Sequence, residues 1–232
     1  MPKAPHYPDD SFASQRRSMV VEQLAQRGIL DPRVLEAMAR VPREEFVPPD
    51  EREMAYYDGA LPIAAHQTIS QPYTVAFMCE AARLSPGDHV LEIGTGSGYG
   101  AAVLSQLVAQ VNTVERIEEL ATQAQANIQR CGYDNVKVHI GDGTLGLPEN
   151  APYDAILVTA GAPGLPEAYR QQLADGGRIV IPIGAQRHGQ MMYRITRSGS
   201  ELHSVSLGGF AFVPLIGKGP MESPVQRTIP GE

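Results

Sequence analysis

The chain has 232 residues, of which 43% are hydrophobic, enough for a sizeable core, and its formal net charge is −7. This negative charge argues against a general nucleic-acid binder, because an acidic surface repels phosphates. No run approaches the roughly 18 apolar residues of a membrane span, and residues 1–30 lack the apolar core of a signal peptide, so we expect a cytoplasmic protein without a membrane partner.

The N-terminal quarter of the sequence predicts helices and loops. The stretch "RRSMVVEQLAQRGI" is typical of a helix with Val20, Val21 and Leu24 on its inner face, ended by a glycine. The stretch "DPRVLEAMARV" predicts a second helix, with Asp31 as its cap and Pro32 at its first position. Both would pack through one apolar face.

The segment "QTISQP", residues 67–72, allows two interpretations of Ser70. Serine is a favoured residue at helix N-caps. The stretch "YTVAFMCEAARL" that follows predicts a helix with one buried face, formed by Val75, Met78, Cys79 and Ala82. The local pattern therefore favours a capping role. A role of Ser70 in chemistry stays open at this point.

The two cysteines, Cys79 and Cys131, are expected to be buried, reduced side chains.

From residue 86 onward, strands and helices alternate. Near-continuous apolar strands separated by helices predict a doubly wound, mostly parallel α/β sheet. The stretch "QMMYRITRSGSELHSVSL" predicts a C-terminal antiparallel hairpin. We expect one domain, divided into a loose arm (1–17), a helical front (18–60), an α/β core with the hairpin (61–217) and a mobile tail (218–232).

Four glycines in "LEIGTGSGYG" mark the turn between the first strand of the parallel sheet and its helix, where α/β sheets bind ligands. The positions Gly96, Gly98 and Ala101 fit a relaxed dinucleotide fingerprint, so NAD cannot be dismissed by pattern alone. Carboxylates at Glu92, Glu115 and Asp142 surround the turn and disfavour a pyrophosphate. They favour a cationic sulfonium ligand, S-adenosylmethionine, with Glu115 near the offset that reaches a ribose diol and Asp142 placed for an adenine amino group.

Eight segments carry a resemblance to a known family, in the order "VPREEFVP", "LPI" with "QTISQPY", "VLEIGTGSGYG", "VERIEEL", "GDG", "APYDAILVTA", "QLADGGRIVIPIG" and "FVPL". Residues 18–215 resemble the protein-L-isoaspartate (D-aspartate) O-methyltransferase family. The resemblance implies a Rossmann-like, S-adenosylmethionine-dependent fold. It also implies methylation of L-isoaspartyl carboxylates in damaged proteins and peptides, more weakly of D-aspartyl ones, with S-adenosylhomocysteine as product. The ester then collapses to a succinimide.

The resemblance also assigns residues. Ser70 corresponds to the family's active-site serine and "VTAGAP" to the loop beside the substrate carboxylate. The implied cofactor-binding residues are Thr68, Ile69, Ser70, Tyr73, Glu92, Gly94, Gly96, Ser97, Glu115, Arg116, Asp142 and Gly143. No metal is implied. The chain departs from the family in having Ala64, Ala65 and His66 where a Gly-x-Gly is usual, which predicts a stiffer loop.

The chemistry assigned to Ser70 follows from the substrate. A carboxylate, with a reference pKa near 4, is already ionised at neutral pH and needs no general base. We therefore expect the Ser70 hydroxyl to orient the carboxylate by a hydrogen bond, and we expect His66 to be a surface loop residue. A small-molecule methyltransferase and a non-catalytic binding module are the competing interpretations. The oligomeric state does not follow from the sequence.

Overall fold

The computed structural model describes residues 11–184 and 189–222. Its helices are α1 (Ala13–Ser18), α2 (Pro32–Arg40), α3 (Pro72–Ala81), α4 (Tyr99–Ser105), α5 (Glu118–Arg130) and α6 (Glu167–Gln172). Its strands are β1 (Leu61–Pro62), β2 (Thr68–Ile69), β3 (His89–Ile93), β4 (Gln110–Glu115), β5 (Val136–Ile140), β6 (Tyr153–Val158), β7 (Leu165–Pro166), β8 (Leu173–Ile183), β9 (Gln190–Ser198), β10 (Glu201–Phe210) and β11 (Met221–Glu222). None of the described helices has the length and apolar character needed to cross a membrane.

Seven strands form the central sheet, in the order β10-β9-β8-β6-β3-β4-β5. The pairs from β8 to β5 are parallel, while β8–β9 and β9–β10 are antiparallel, which confirms the predicted α/β sheet and its C-terminal hairpin. The chain winds outward from β3 through β4 to β5 and then returns to place β6 on the other side of β3. The crevice at the carboxyl ends of β3 and β6 is therefore the topological switch point, where such sheets bind ligands.

Two hydrophobic clusters cover the two faces of the sheet. Val90, on one face of β3, belongs to the cluster formed with the N-terminal helices, α3 and α4. Its neighbour Leu91 faces the other cluster, which includes Tyr169 of α6. Successive strand residues point to opposite faces, so a strand buried on both sides needs apolar residues at nearly every position.

The N-terminal segment is more ordered than the sequence predicts. The guanidinium of Arg16, only 8% exposed, forms an ion pair with Glu44 (Nη2 to Oε1, 2.7 Å) and donates to the Tyr56 hydroxyl (Nε to Oη, 2.7 Å). A buried charge is retained only where it is paired, so these contacts hold α1 against the helical front. Residues 13–17, which the sequence assigns to a loose arm, are helical in the structure, and residues 1–10 lie outside the described chain.

The helices of the front follow the predicted stop and cap signals. Gly28 ends the first helical segment with φ at 94°, and the Asp31 side chain accepts a hydrogen bond from the Arg33 N–H. The prediction that Val21 faces inward was wrong: Val21 is 53% exposed, and Met19 is fully buried instead. The chain widens to a π-helical turn over Met19–Leu24, which changes the angular position of each side chain relative to an ideal α-helix.

The beginning of the predicted mobile tail is also held in place. The Lys218 N–H donates to Asp142 Oδ2 (2.7 Å), and the Gly219 N–H donates to Thr144 Oγ1 (2.8 Å). Strand β11 then pairs with β7. Backbone groups make these contacts. A prediction based on low apolar content does not take backbone hydrogen bonds into account. Residues 218–222 of the predicted tail therefore make specific contacts with the core, and residues 223–232 lie outside the described chain.

Candidate functional site

A cavity of about 360 Å³ opens at the carboxyl ends of β3 and β4. Most of the predicted cofactor residues line it: Thr68, Ile69, Ser70, Glu92, Gly94, Gly96, Ser97, Glu115, Arg116 and Gly143. Strand β2 supplies Thr68 and Ile69, Ser70 follows it directly, and the turn after β3 and the end of β4 supply most of the others. The fold therefore brings together segments that are far apart in the sequence.

The glycine turn is locked to the end of β6 by Thr159. The Thr159 hydroxyl lies 2.8 Å from the carbonyl oxygen of Gly94 and 3.0 Å from that of Ile93, and donates to these acceptors. A Cβ at Gly94 would lie 2.4 Å from the same hydroxyl, and φ there is 94°. Both the close approach and the left-handed backbone exclude other residues at Gly94.

Glu115 holds the other side of the turn. One carboxylate oxygen accepts from the Gly96 N–H and the other from the Ile117 N–H, both at 3.0 Å. A Cβ at Gly96 would meet only the Ile63 side chain, at 3.7 Å, so its backbone is accessible from the cavity. Each carboxylate oxygen has a further lone pair. Glu115 can therefore position the turn and still accept from a ligand hydroxyl.

Glu92 is an almost fully buried acid beside this turn. Its Oε2 accepts from the Thr113 hydroxyl (2.7 Å), which is in turn hydrogen-bonded to the Thr95 hydroxyl (2.7 Å). Its Oε1 would lie 2.2 Å from a Cβ at position 100, so Gly100 leaves the space for the carboxyl group. Burial raises the pKa of Glu92 to about 8, the Thr113 hydrogen bond opposes this shift, and the Glu115 charge adds to it.

Ser70 does not cap α3, contrary to the interpretation favoured by the local sequence. The residue at the N-cap position is Gln71, and no side chain caps the helix. Gln71 is extended (φ −50°, ψ 140°), as expected for a residue before proline, so the helix begins at Pro72. Within the described chain no residue is hydrogen-bonded to the half-buried Ser70 hydroxyl, which leaves that hydroxyl to the cavity.

A second cavity of about 560 Å³, which we call the groove, adjoins the first. The groove runs between α3 and the segment 207–213. Four residues line both cavities: Thr68, Ser70, Thr159 and Val213. A group bound in the groove can therefore meet a group bound in the first cavity at these residues.

Two residues predicted to bind the cofactor lie outside the lining of the first cavity. Tyr73 lines the groove instead. The carboxylate of Asp142 is held by its own loop and by the tail, since Oδ1 accepts from the Thr144 N–H (2.9 Å) and hydroxyl (2.6 Å) and Oδ2 accepts from the Lys218 N–H. The next residue, Gly143, does line the cavity.

Sequence reasoning gave no role to several lining residues. The segment 213–216 lines the cavity. Its motif "FVPL" was part of the resemblance, but no role was assigned to it. Hydrogen bonds between its backbone and that of Gly161 bring this segment to the site (Gly161 N to Val213 O and Leu215 N to Gly161 O, both 2.8 Å). Ile117 and Leu120 add apolar surface. No cluster of three or more metal-binding side chains occurs in the described ranges.

The loop that replaces the family's Gly-x-Gly is strained. Ala65 and His66 both have positive φ, 55° and 56°, in a conformation that disfavours residues with a Cβ. His66 is an exposed loop residue, as predicted, and it lines the mouth of the cavity. The β1–β2 hairpin therefore contributes a strained loop to the lining of the cavity.

The similarity of this chain to known proteins is extensive. Residues 15–219 match the family model described as protein-L-isoaspartate(D-aspartate) O-methyltransferase. The chain is 58% identical over 206 residues to the protein-L-isoaspartate O-methyltransferase of Roseiflexus sp. (strain RS-1), covering 89% of this chain and 94% of that one. A related enzyme of Pelobacter propionicus (strain DSM 2379 / NBRC 103807 / OttBd1), protein-L-isoaspartate O-methyltransferase 2, is 57% identical, with 88% and 91% covered.

A solved structure shows the same similarity. A Plasmodium falciparum protein described as a "putative protein-L-isoaspartate O-methyltransferase", solved in complex with S-adenosyl-L-homocysteine, has a TM-score of 0.76 and 28% identity. The match covers 87% of this chain and 98% of that one.

The strain in the loop gives a prediction with an internal control. Ala65→Gly should raise the free energy of unfolding by about 1 kcal/mol, because it removes a Cβ from a left-handed residue. Ala64→Gly makes the same chemical change at a neighbour that lacks positive φ, and should lower it by about 0.5–1 kcal/mol. Urea denaturation of both variants tests this, and shifts of the same sign would contradict it.

The pKa of Glu92 gives a prediction about pH. The native carboxyl keeps its proton up to about pH 8, whereas the unfolded one loses it near 4.5, so stability falls as the pH rises between these values. Glu92→Gln should remove this loss of stability. Its free energy of unfolding, plotted against pH, should then differ in slope from that of the wild type by up to about 1.4 kcal/mol per pH unit.

Urea denaturation between about pH 5 and pH 8 measures this difference. Glu119→Gln, on the exposed side of α5, is the matched control and should follow the wild type. Parallel profiles of Glu92→Gln and wild type would show that Glu92 is ionised throughout.

Proposed function

The chain belongs to the protein-L-isoaspartate(D-aspartate) O-methyltransferase family, and we propose that it methylates the free carboxylate of L-isoaspartyl residues in damaged proteins and peptides. D-aspartyl residues are weaker substrates in this proposal. The methyl donor is S-adenosylmethionine and the second product is S-adenosylhomocysteine. The methyl ester then closes to a succinimide, which reopens partly as normal aspartate.

The observation that carries this proposal is the junction of the two cavities at Ser70 and Thr159. A transfer reaction needs donor and acceptor in contact, and good placement can supply about 7–11 kcal/mol of the barrier. The groove is partly open to solvent, so it can admit a residue that is part of a longer chain. A small-molecule methyltransferase would need a closed pocket here.

The residues of the first cavity fit a cofactor that carries positive charge. Bound S-adenosylmethionine supplies a methyl group already activated by a sulfonium. Glu115 would accept from the ribose hydroxyls with the lone pairs left by the backbone, and Thr68 with Ile69 would enclose the methionine end. A cation near Glu92 favours its charged form and so lowers its pKa from the value of about 8.

Asp142 does not line the first cavity itself, and in this proposal it reaches the adenine end from beside the lining residue Gly143. The Lys218 N–H occupies one lone pair of Oδ2 and leaves another for an amino group. The tail thus orients this carboxylate without saturating it. Gly143, which lines the cavity, places the backbone beside the same end.

Ser70 acts on the substrate by orientation in this mechanism. An isoaspartyl carboxylate is ionised at neutral pH, so no side chain has to remove a proton from it. The Ser70 hydroxyl donates a hydrogen bond that aims one carboxylate oxygen toward the first cavity. A substrate residue that packs against the walls of the groove would itself displace water from that oxygen, which removes competing hydrogen bonds.

The substrate prediction uses two peptides that differ only in one linkage. The isoaspartyl peptide should accept label from methyl-labelled S-adenosylmethionine as a base-labile ester, and the normal aspartyl peptide should not. Scintillation counting after alkaline release measures the ester. Equal labelling of both peptides, or of neither, would overturn the repair function.

The prediction for Ser70 separates its possible roles. Ser70→Ala should lower turnover about ten- to hundredfold, because one charge-assisted hydrogen bond of about 1.5–3 kcal/mol is lost, with cofactor affinity changed by no more than a few-fold. Because Ser70 does not cap α3, the melting temperature should stay close to that of the wild type.

Steady-state kinetics and titration calorimetry measure the two effects. Ser206→Ala, an exposed serine of β10 outside both cavities, is the matched control. Unchanged turnover in Ser70→Ala would remove Ser70 from the mechanism, and a trapped covalent adduct on the wild type would make it a nucleophile.

A further inference from the structure

Four aromatic side chains form a continuous row along the groove: Tyr73, Phe77, Phe210 and Phe212. Neighbouring ring centroids are 6.0 Å, 4.9 Å and 6.4 Å apart in this order. All four side chains are only half-buried, and each lines the groove. The hydrophobic surface of this row is therefore partly available to whatever enters the groove.

The segment 207–213 also presents bare backbone to the groove, at two glycines. β10 is an edge strand of the sheet, and Gly208 and Gly209 near its end have nothing within 4 Å of where a Cβ would be. An edge strand presents unpaired N–H and C=O groups to which an extended peptide can bind. The groove thus offers main-chain partners beside its aromatic rings.

The lining of the groove is almost free of charged side chains. Arg27 is the one charged residue among its described lining, and its guanidinium lies 4.1 Å from the centroid of the Tyr73 ring. Both oxygens of Asp58 pair with Arg27 Nη1, at 3.0 and 2.9 Å, which compensates its charge. An apolar side chain therefore suits this groove better than an ionised one.

We propose that the aromatic row binds large apolar side chains, aromatic ones best, that flank the isoaspartyl residue. The inference rests on the proposed function and names the substrates that the site selects. Alternate residues of an extended peptide lie about 6.6 Å apart on one face, close to the spacing of the rings. Ser70 lines the same groove as the row, so with the isoaspartyl carboxylate at Ser70 such a flanking side chain reaches the row.

The test compares short isoaspartyl peptides that carry phenylalanine or serine at each of the two positions on either side of the isoaspartate. At one position at least, phenylalanine should lower KM about tenfold relative to serine, with kcat changed by less than twofold, because part of a phenylalanine side chain is buried in binding. Equal kcat/KM for both residues at all four positions would overturn the proposal.

Two variants and a control locate the effect. In Phe210→Ala the preference for phenylalanine should fall to less than twofold. Gly209→Val, which has space for a side chain and no positive φ, should raise KM for the phenylalanine peptide without changing the melting temperature. Val205→Ala, an exposed change on β10 outside the groove, should keep the full preference.

Failure of this inference is distinguishable from failure of the proposed function. If serine-flanked isoaspartyl peptides are methylated and phenylalanine gives no advantage, the function stands and the aromatic row is not a specificity site. If the preference survives in Phe210→Ala and Gly209→Val alike, the groove is not where the flanking residue binds. If no isoaspartyl peptide is methylated, both proposals fall.

Discussion

The carboxylate of Glu115 fixes the geometry on which the rest of the site depends. It accepts from Gly96 and Ile117, so the end of β4 and the turn after β3 form one unit. Thr159 adds the end of β6 to the same unit through the Ile93 and Gly94 carbonyl oxygens. Hydrogen bonds to a charged group contribute about 1.5–3 kcal/mol each, which is enough to hold a glycine-rich turn that is otherwise flexible.

The proposed chemistry explains why the site contains so little catalytic machinery. An ionised acceptor and an activated donor leave placement and exclusion of water to the protein. The two cavities meet at Ser70, and the aromatic row continues from that junction along the groove. Glu92 lies behind the turn as a buried acid whose charge state depends on its surroundings.

The two ends of the described chain contribute more to the fold than their composition suggests. Arg16 joins α1 to the helical front through Glu44 and Tyr56, so an arginine serves as an internal anchor. At the other end, Lys218 binds Asp142 through its backbone N–H, and β11 adds a strand to β7. Both contacts use polar groups that a search for apolar periodicity does not detect.

The sequence by itself determined the alternating strands and helices, the hairpin and the residues of the glycine turn, because apolar periodicity and glycine spacing are local properties. It also pointed to Ser70, although its local preference for a cap was wrong, since Pro72 starts the helix one residue too late for Ser70 to be its cap. Only the tertiary structure decided that Tyr73 lines the groove, that residues 213–216 line the cavity and that Asp142 is bonded to the tail. Each depends on contacts between residues distant in the chain, and no local pattern encodes such distances.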